Sequence, residues 1–335
     1  MASESALIDP AAEESAPHRR HPDWLMVAVP AGEAVRDLRR LVRGLHLNTV
    51  CEEARCPNLG ECWDQRTATI MILGETCTRA CGFCAVRTGR PTWHDPDEPR
   101  RVAEAVATLD LDHVVITSVA RDDLADGGAS VFAETIRRVR AASPATGIEV
   151  LVPDFDGEEA PLGIVVAAAP DILDHNLETV ERLQRQVRRR ARYDRSLGVL
   201  ARARARAREA GTRLRTKSSL MVGLGETEDE VLAAFHDLRA VGCDIVTVGQ
   251  YLRPTRANLP VVRYWTPAEF ARLRDAALSL GFEHVESGPL VRTSYHARSQ
   301  VPGADLRAAR RRAELDRDGR VVPGVVPEVV PGSMA

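Results

Sequence analysis

A chain of 335 residues with 44% hydrophobic and 28% charged residues has the material for a sizeable core and the make-up of an ordinary globular protein. Its 45 Lys and Arg against 48 Asp and Glu give a formal charge of -3, which offers no general attraction to nucleic acid or to an anionic membrane. No apolar run approaches the roughly 20 residues of a membrane span, so neither a nucleic-acid partner nor a membrane is expected.

Residues 1–20, acidic first and basic later, read as a disordered arm. They lack the apolar centre of a secretory signal and the acid-poor character of a transit peptide, which points to a cytoplasmic protein. Residues 21–66 form an N-terminal extension in which 36–44 fits a helix ended by Gly44. From residue 67 to about 285 short apolar runs alternate with helical stretches. The strand candidates are 68–73, 113–119, 148–152, 171–174, 217–222 and 244–248. The helical stretches lie near 98–109, 129–142, 177–190, 196–210, 228–241 and 267–280, with Pro99 and Pro267 placed for helix starts and Gly211, Gly242 and Gly281 for helix ends. Six strands alternating with helices predict a parallel α/β sheet, open or barrel-like, with ligands at the C-terminal ends of the strands. Residues 286–299 form a C-terminal segment, and 300–335, charged and then rich in Pro, Val and Gly, read as a mobile tail.

Six of the seven cysteines fall in two triplets. A long chain without an export signal is not a disulfide scaffold, so clustered cysteines read as metal ligands or redox groups. Cys77, Cys81 and Cys84 stand at C-x3-C-x2-C spacing just beyond the first strand. Three thiolates so spaced can ligate three irons of a cubic cluster and leave the fourth iron open, as a reactive centre needs. Gly82 allows a tight turn there and Phe83 can shield the cluster. A structural zinc site would ask for paired C-x2-C units, and a ferredoxin would ask for four close cysteines. Cys51, Cys56 and Cys62 make a second triplet, C-x4-C-x5-C, again one ligand short. Cys243 reads as a small core residue.

The C-x3-C-x2-C motif resembles the radical S-adenosylmethionine superfamily. Together with the first triplet, with Arg292-Thr293-Ser294-Tyr295-His296, and with the stretches 121–128, 175–179, 217–227 and 249–254, the sequence resembles the lipoyl synthase family over residues 22–298. Thr293 departs from the usual serine. The resemblance implies a partial (β/α)6 TIM-type barrel and two [4Fe–4S] clusters. Cys77, Cys81 and Cys84 would hold the cluster that binds S-adenosylmethionine and generates a 5′-deoxyadenosyl radical. Cys51, Cys56, Cys62 and Ser294 would hold an auxiliary cluster that gives up sulfur. The implied reaction inserts two sulfur atoms at C6 and C8 of an octanoyl chain on a carrier-domain lysine.

Cofactor contacts are expected from Gly127 and Gly128, which by resemblance hold the methionine amino group, and from Asn176, Lys217 and Arg253. Asn176 is also placed for a helix N-cap, and Lys217 for a surface salt bridge. Glu178 and Ser219 lie on the same strand ends, and the loop 223–226 fits the adenine side. The resemblance implies as partners the octanoylated E2 subunits of 2-oxoacid dehydrogenases and the glycine cleavage H protein. It also implies an electron donor such as ferredoxin or flavodoxin and a carrier that repairs the auxiliary cluster; the chain itself is expected to be a monomer. The Arg-rich stretches 185–192 and 202–208 read as solvated helix faces that could steer an acidic carrier. Two rivals stay open: a biotin-synthase-like sulfur-inserting enzyme, and a cluster- or zinc-bearing nucleic-acid-binding protein.

Overall fold

The computed structural model describes residues 21–26, 33–50, 56 and 58–300. The arm 1–20, Cys51 and the tail 301–335 lie outside the described residues. Helix α1 (Glu33–Gly44) leads into β1 (Asn48–Thr49), and α2 (Leu59–Asp64) leads into β2 (Thr67–Ile72). The short strands β3 (Thr76–Cys77) and β4 (Arg87–Thr88) pair with each other beside the main sheet. Six α/β units follow: α3 (Glu98–Thr108) and β5 (His113–Ser118), α4 (Ala129–Ala142) and β6 (Gly147–Leu151), α5 (Glu159–Ala167) and β7 (Ile172–Asp174), α6 (Gln184–Val187) with α7 (Tyr193–Glu209) and β8 (Arg215–Val222), α8 (Glu228–Ala240) and β9 (Ile245–Gln250), α9 (Pro267–Ser279) and β10 (His284–Gly288).

The main sheet runs β1-β2-β5-β6-β7-β8-β9-β10. Every pairing from β2 to β10 is parallel, and only β1 is antiparallel. Strands buried on both faces must be apolar throughout, which is why β5 and β9 are Val/Ile-rich runs without alternation. The sheet stays open at β1 and β10, a partial barrel. Helices α8 and α9 begin at capping boxes, Thr227 with Glu230 and Thr266 with Glu269, which satisfy their first amides.

The six expected strands are present in order. Strand β10 adds a seventh parallel member, paired with β9 from His284 to Gly288. Its residues are only half-buried and mostly polar, so the sequence offers no apolar run there. Helix α5 is apolar around most of its circumference and carries little periodicity. The helix expected over 177–190 shrinks to a 3-10 turn at Glu181–Leu183 and the single turn α6. Its first residues are instead held against β8: Glu178 N donates to Ser219 O, and Met221 N donates to Glu178 O.

Lys217 is neither a surface residue nor placed in the cavity described below. It is fully buried in the sheet, and its Nζ donates to Glu149 Oε1 at 2.8 Å. His113 Nε2 approaches the other oxygen at 3.2 Å. Burial would raise the Glu149 carboxyl, but Lys217 and His113 outweigh it and hold the group below the ordinary value. Removing the ammonium strands a buried carboxylate. Lys217→Met is expected to destabilise the cluster-free chain by about 3–5 kcal/mol, read from its denaturant midpoint; an unchanged midpoint would contradict this.

Candidate functional site

A cavity of about 270 Å³ opens at the C-terminal ends of the parallel strands. Cys77 and Cys81 line it, together with Ser118 at the end of β5, Leu151 to Pro153 at the end of β6, Asn176 and Glu178 after β7, and Arg188. The cysteine loop is wired into the sheet. Cys77 Sγ accepts from Arg79 N (3.4 Å) and Ala120 N (3.3 Å), and Cys84 Sγ accepts from Val86 N (3.4 Å). Amides aimed at sulfur are the environment that stabilises a thiolate on iron. Gly82 N donates to Val187 O, and Leu259 N donates to Gly82 O. Asn258 Nδ2 adds a bond to Cys84 O at 2.8 Å. Arg253, expected at the cofactor, instead ties the 253–258 loop together through Asn258 O and Arg256 O, and so backs the cysteines from behind.

Burial pushes the Cys81 thiol up to about 12, with only partial relief from the nearby Arg188 charge. Cys84 is raised for the same reason. These thiols stay protonated until a cation binds, and metal loading must release their protons. No group of three His, Cys, Asp or Glu among the described residues converges as for a single ion; a cubic cluster takes one thiolate per iron. Two buried acceptors, Ser118 Oγ and Asn176 Oδ1, have no hydrogen-bond partner and line the same cavity. Thiols, unspent polar atoms and an apolar wall together fit a cluster with a small polar cofactor.

The stretch carrying Cys56 and Cys62 meets the far end of the chain. Asn58 Nδ2 donates to Leu290 O at 2.7 Å. Tyr295 OH donates to Glu61 at 3.1 Å, and His296 Nε2 lies 3.2 Å from Glu61 Oε1. Burial raises the Cys56 thiol, opposed by an Asn58 amide and by the charge of Arg292. Cys62 stands close enough to Tyr295 to act on its phenol, which burial, first of all, pushes up to about 12. Thus 290–296 lies on the segment carrying Cys56 and Cys62. Ser294 Oγ accepts from Thr69 Oγ1 at 2.9 Å. Thr293 Oγ1 accepts from Asn176 Nδ2 at 3.1 Å, which links this segment to the wall of the first cavity.

The family model of the Radical SAM superfamily matches residues 71–238, and the model of the N-terminal domain of lipoyl synthase of the Radical SAM family matches residues 6–56. The lipoyl synthase of Symbiobacterium thermophilum is 59% identical over 288 residues, 86% of this chain and 89% of that one. That of Rubrobacter xylanophilus is 55% identical over 295 residues, 88% of this chain and 90% of that one. The chain belongs to the lipoyl synthase family. Among solved structures, Streptococcus suis SuiB bound to precursor peptide SuiA superposes with a TM-score of 0.51 at 11% identity, covering 76% of this chain and 52% of that one; this likeness concerns the fold alone.

As a lipoyl synthase the protein is a radical S-adenosylmethionine sulfurtransferase, and its family works with that cofactor and with [4Fe–4S] clusters. The biotin-synthase-like alternative is not favoured. Other expected residues sit as follows. Gly127 and Gly128 have φ of 58° and 89°, and a side chain on Gly128 would overlap Leu73. Their place in the fold is the tight start of α4, and they do not line the cavity. Glu226 closes its own loop by accepting from Gly223 N, Leu224 N and Trp265 Nε1. Cys243 is fully buried.

Sequence reading missed Arg188. The run 185–192 reads as a solvated face, yet Arg188 is buried and donates to Asn176 O at 2.8 Å. The Arg-rich runs are largely paired, Arg192 with Asp194, Arg204 with Asp244 and Arg206 with Glu159. Gly249 was also missed. A Cβ there would come within 3.0 Å of the Val291 carbonyl carbon and closer still to its oxygen, so only glycine lets the C-terminal segment cross β9. Gly249→Ala is expected to displace 290–296. It should cost about 1–3 kcal/mol and cause loss of auxiliary-site iron ahead of radical-site iron; full iron content at unchanged stability would contradict it.

Proposed function

We propose that Cys77, Cys81 and Cys84 hold the radical-generating cluster, that Cys51, Cys56, Cys62 and Ser294 hold the auxiliary cluster, and that the cavity between the strand ends receives S-adenosylmethionine. The observation that carries this reading is that segment 290–296 meets both the stretch carrying Cys56 and Cys62, through Asn58 and Leu290, and the wall of the cavity that Cys77 and Cys81 line, through Thr293 and Asn176. When bound, these groups supply reductive cleavage of a sulfonium, hydrogen abstraction from unactivated carbon, and sulfur.

The chain's own residues do the positioning. Arg188 and Glu178 place a guanidinium and a carboxyl group, the latter raised by burial, on the cavity wall, groups suited to the carboxylate and ammonium of an amino-acid moiety. Asn176 Oδ1 and Ser118 Oγ offer unspent hydrogen-bonding capacity beside them. Leu151, Val152, Pro153 and Phe83 give the cavity an apolar side, which keeps water from a reactive intermediate. Gly127, Gly128, Lys217 and Arg253 act behind this wall, by shaping the loops and sheet that carry it.

The reaction inserts two sulfur atoms, at C6 and C8 of an octanoyl group on a carrier-domain lysine. Octanoylated E2 subunits and the glycine cleavage H protein fit as carriers. A low-potential donor of the ferredoxin or flavodoxin kind fits as reductant, and a carrier must restore the auxiliary cluster. A cytoplasmic, monomeric protein suits this chemistry, which requires reduced thiols. The unit organisation that fits is an extension at 21–66, the barrel at 67–285 and the ligand-bearing segment at 286–299.

Iron and sulfide analysis of anaerobically purified protein tests the site assignment. About eight irons per chain are expected, four for each [4Fe–4S] cluster; zinc without iron would refute it.

A further inference from the structure

Arg79 lies in the loop between Cys77 and Cys81, and its side chain is only 8% exposed. Its guanidinium reaches three carboxylates on two other segments of the chain. Nε lies 3.0 Å from Asp122 Oδ2, and Nη2 lies 2.6 Å from Asp122 Oδ1, beyond β5. Nη1 lies 2.6 Å from Asp154 Oδ1, beyond β6. Nη2 also faces Asp156 Oδ1 at 3.5 Å. The neighbouring Thr78 donates to Asp122 Oδ2 at 2.7 Å and accepts from Asp122 N at 3.1 Å.

Two further arginines close the lattice. Arg190 pairs with Asp156 at 2.9 Å and Asp122 at 3.6 Å, and Arg195 pairs with Asp154 at 3.2 Å and Asp156 at 2.9 Å. Three arginines and three aspartates balance in charge. The loop that supplies two of the aspartates holds Phe155 and Asp156 at φ of 47° and 50°. Non-glycine residues keep that conformation only when their surroundings enforce it. The cysteine loop has little regular structure of its own beyond the two residues of β3, so its shape has to come from outside.

We propose that Arg79 is a positioning residue that folds the radical-cluster loop before any cluster arrives, by docking it on Asp122 and Asp154. The planar fork suits this task because it meets two carboxylates at once, whereas an ammonium meets them one at a time. The proposal rests on the assignment of Cys77, Cys81 and Cys84 as cluster ligands, but it makes a claim about the cluster-free chain and can be read there.

The test alkylates cysteines in cluster-free protein and maps them by mass spectrometry, then counts iron after reconstitution. In Arg79→Gln, Cys81 and Cys84 should react at least about tenfold faster while Cys243 stays protected. Iron should fall to about four per chain as the radical site fails to load. Arg79→Lys should recover part of both signals, and Asp122→Asn should reproduce the loss if Arg79→Gln does not fold. Parent-like protection with full iron in these variants would overturn the proposal. Exposure of Cys243 together with Cys81 would also overturn it, because that marks unfolding of the barrel rather than of the loop. A parent that binds no iron would refute the cluster assignment and leave the thiol readout to decide the positioning role.

Discussion

Cys81→Ala is expected to abolish cleavage of S-adenosylmethionine and to leave about four irons per chain instead of about eight. Cys81 lines the cavity beside Cys77 and faces Arg188 and Glu178. Two thiolates cannot hold the three-iron face of a cube, and no other cysteine among the described residues stands on this wall. The auxiliary segment is anchored independently, through Asn58 with Leu290 and Glu61 with Tyr295, so its iron should remain. Anaerobic iron analysis and a 5′-deoxyadenosine assay read the two effects separately. Retention of eight irons, or cleavage at the parent rate, would sink the assignment of Cys81. Because the cluster-free thiol is protonated, with burial pushing it up to about 12, the alanine removes no charge from the empty loop. The barrel itself should keep its stability.

Ser294→Ala should separate the two half-reactions. Its hydroxyl sits 2.9 Å from Thr69 Oγ1 on β2, in the segment folded onto the stretch of Cys56 and Cys62. A hard oxygen ligand on a soft cluster makes one labile corner, and alanine removes that ligand. Cleavage of S-adenosylmethionine should persist, since the loop of Cys77, Cys81 and Cys84 is untouched. Sulfur-containing product should fall at least about a hundredfold, the upper range for loss of groups that hold a metal site. Ser294→Cys should keep the iron but give it up more slowly. If Ser294→Ala inserts sulfur at the parent rate, the fourth ligand lies elsewhere; Thr293 next to it carries the only other hydroxyl in the Arg292–His296 stretch apart from the Tyr295 phenol.

Both variants lean on information of different kinds. The cysteine spacings are local, so the radical loop was legible directly: ligands three and four positions apart, one turn past a strand, have little freedom in where they meet. The parallel strands were legible because strands buried on both faces are forced to be apolar. What the sequence concealed is long-range. Asn58 and Leu290 are 232 positions apart, and their contact, like that of Thr293 with Asn176, is set by the return of the chain across β9 at Gly249. The family resemblance named Ser294; no local pattern did.

Charge hid the rest. Lys217 reads as a polar residue in a strand, and only the partner supplied by Glu149 from another strand makes its burial tolerable. Arg188 reads as surface charge for the same reason, since the carbonyls that receive it lie outside its own helical turn. The helix expected at 177–190 failed because Glu178 spends its backbone on β8, a tertiary bond that outranks local propensity.

The origin of the inserted sulfur is the central test of the auxiliary cluster's role. The protein is reconstituted with heavy-isotope sulfide, freed of excess reagent, and given S-adenosylmethionine, reductant and an octanoyl-lysine carrier peptide for a single anaerobic turnover. Mass spectrometry should show two sulfur atoms added to the octanoyl chain, both carrying the heavy isotope, with auxiliary-site iron lost in step. Cofactor cleavage without sulfur in the peptide, or product sulfur of natural abundance, would contradict it.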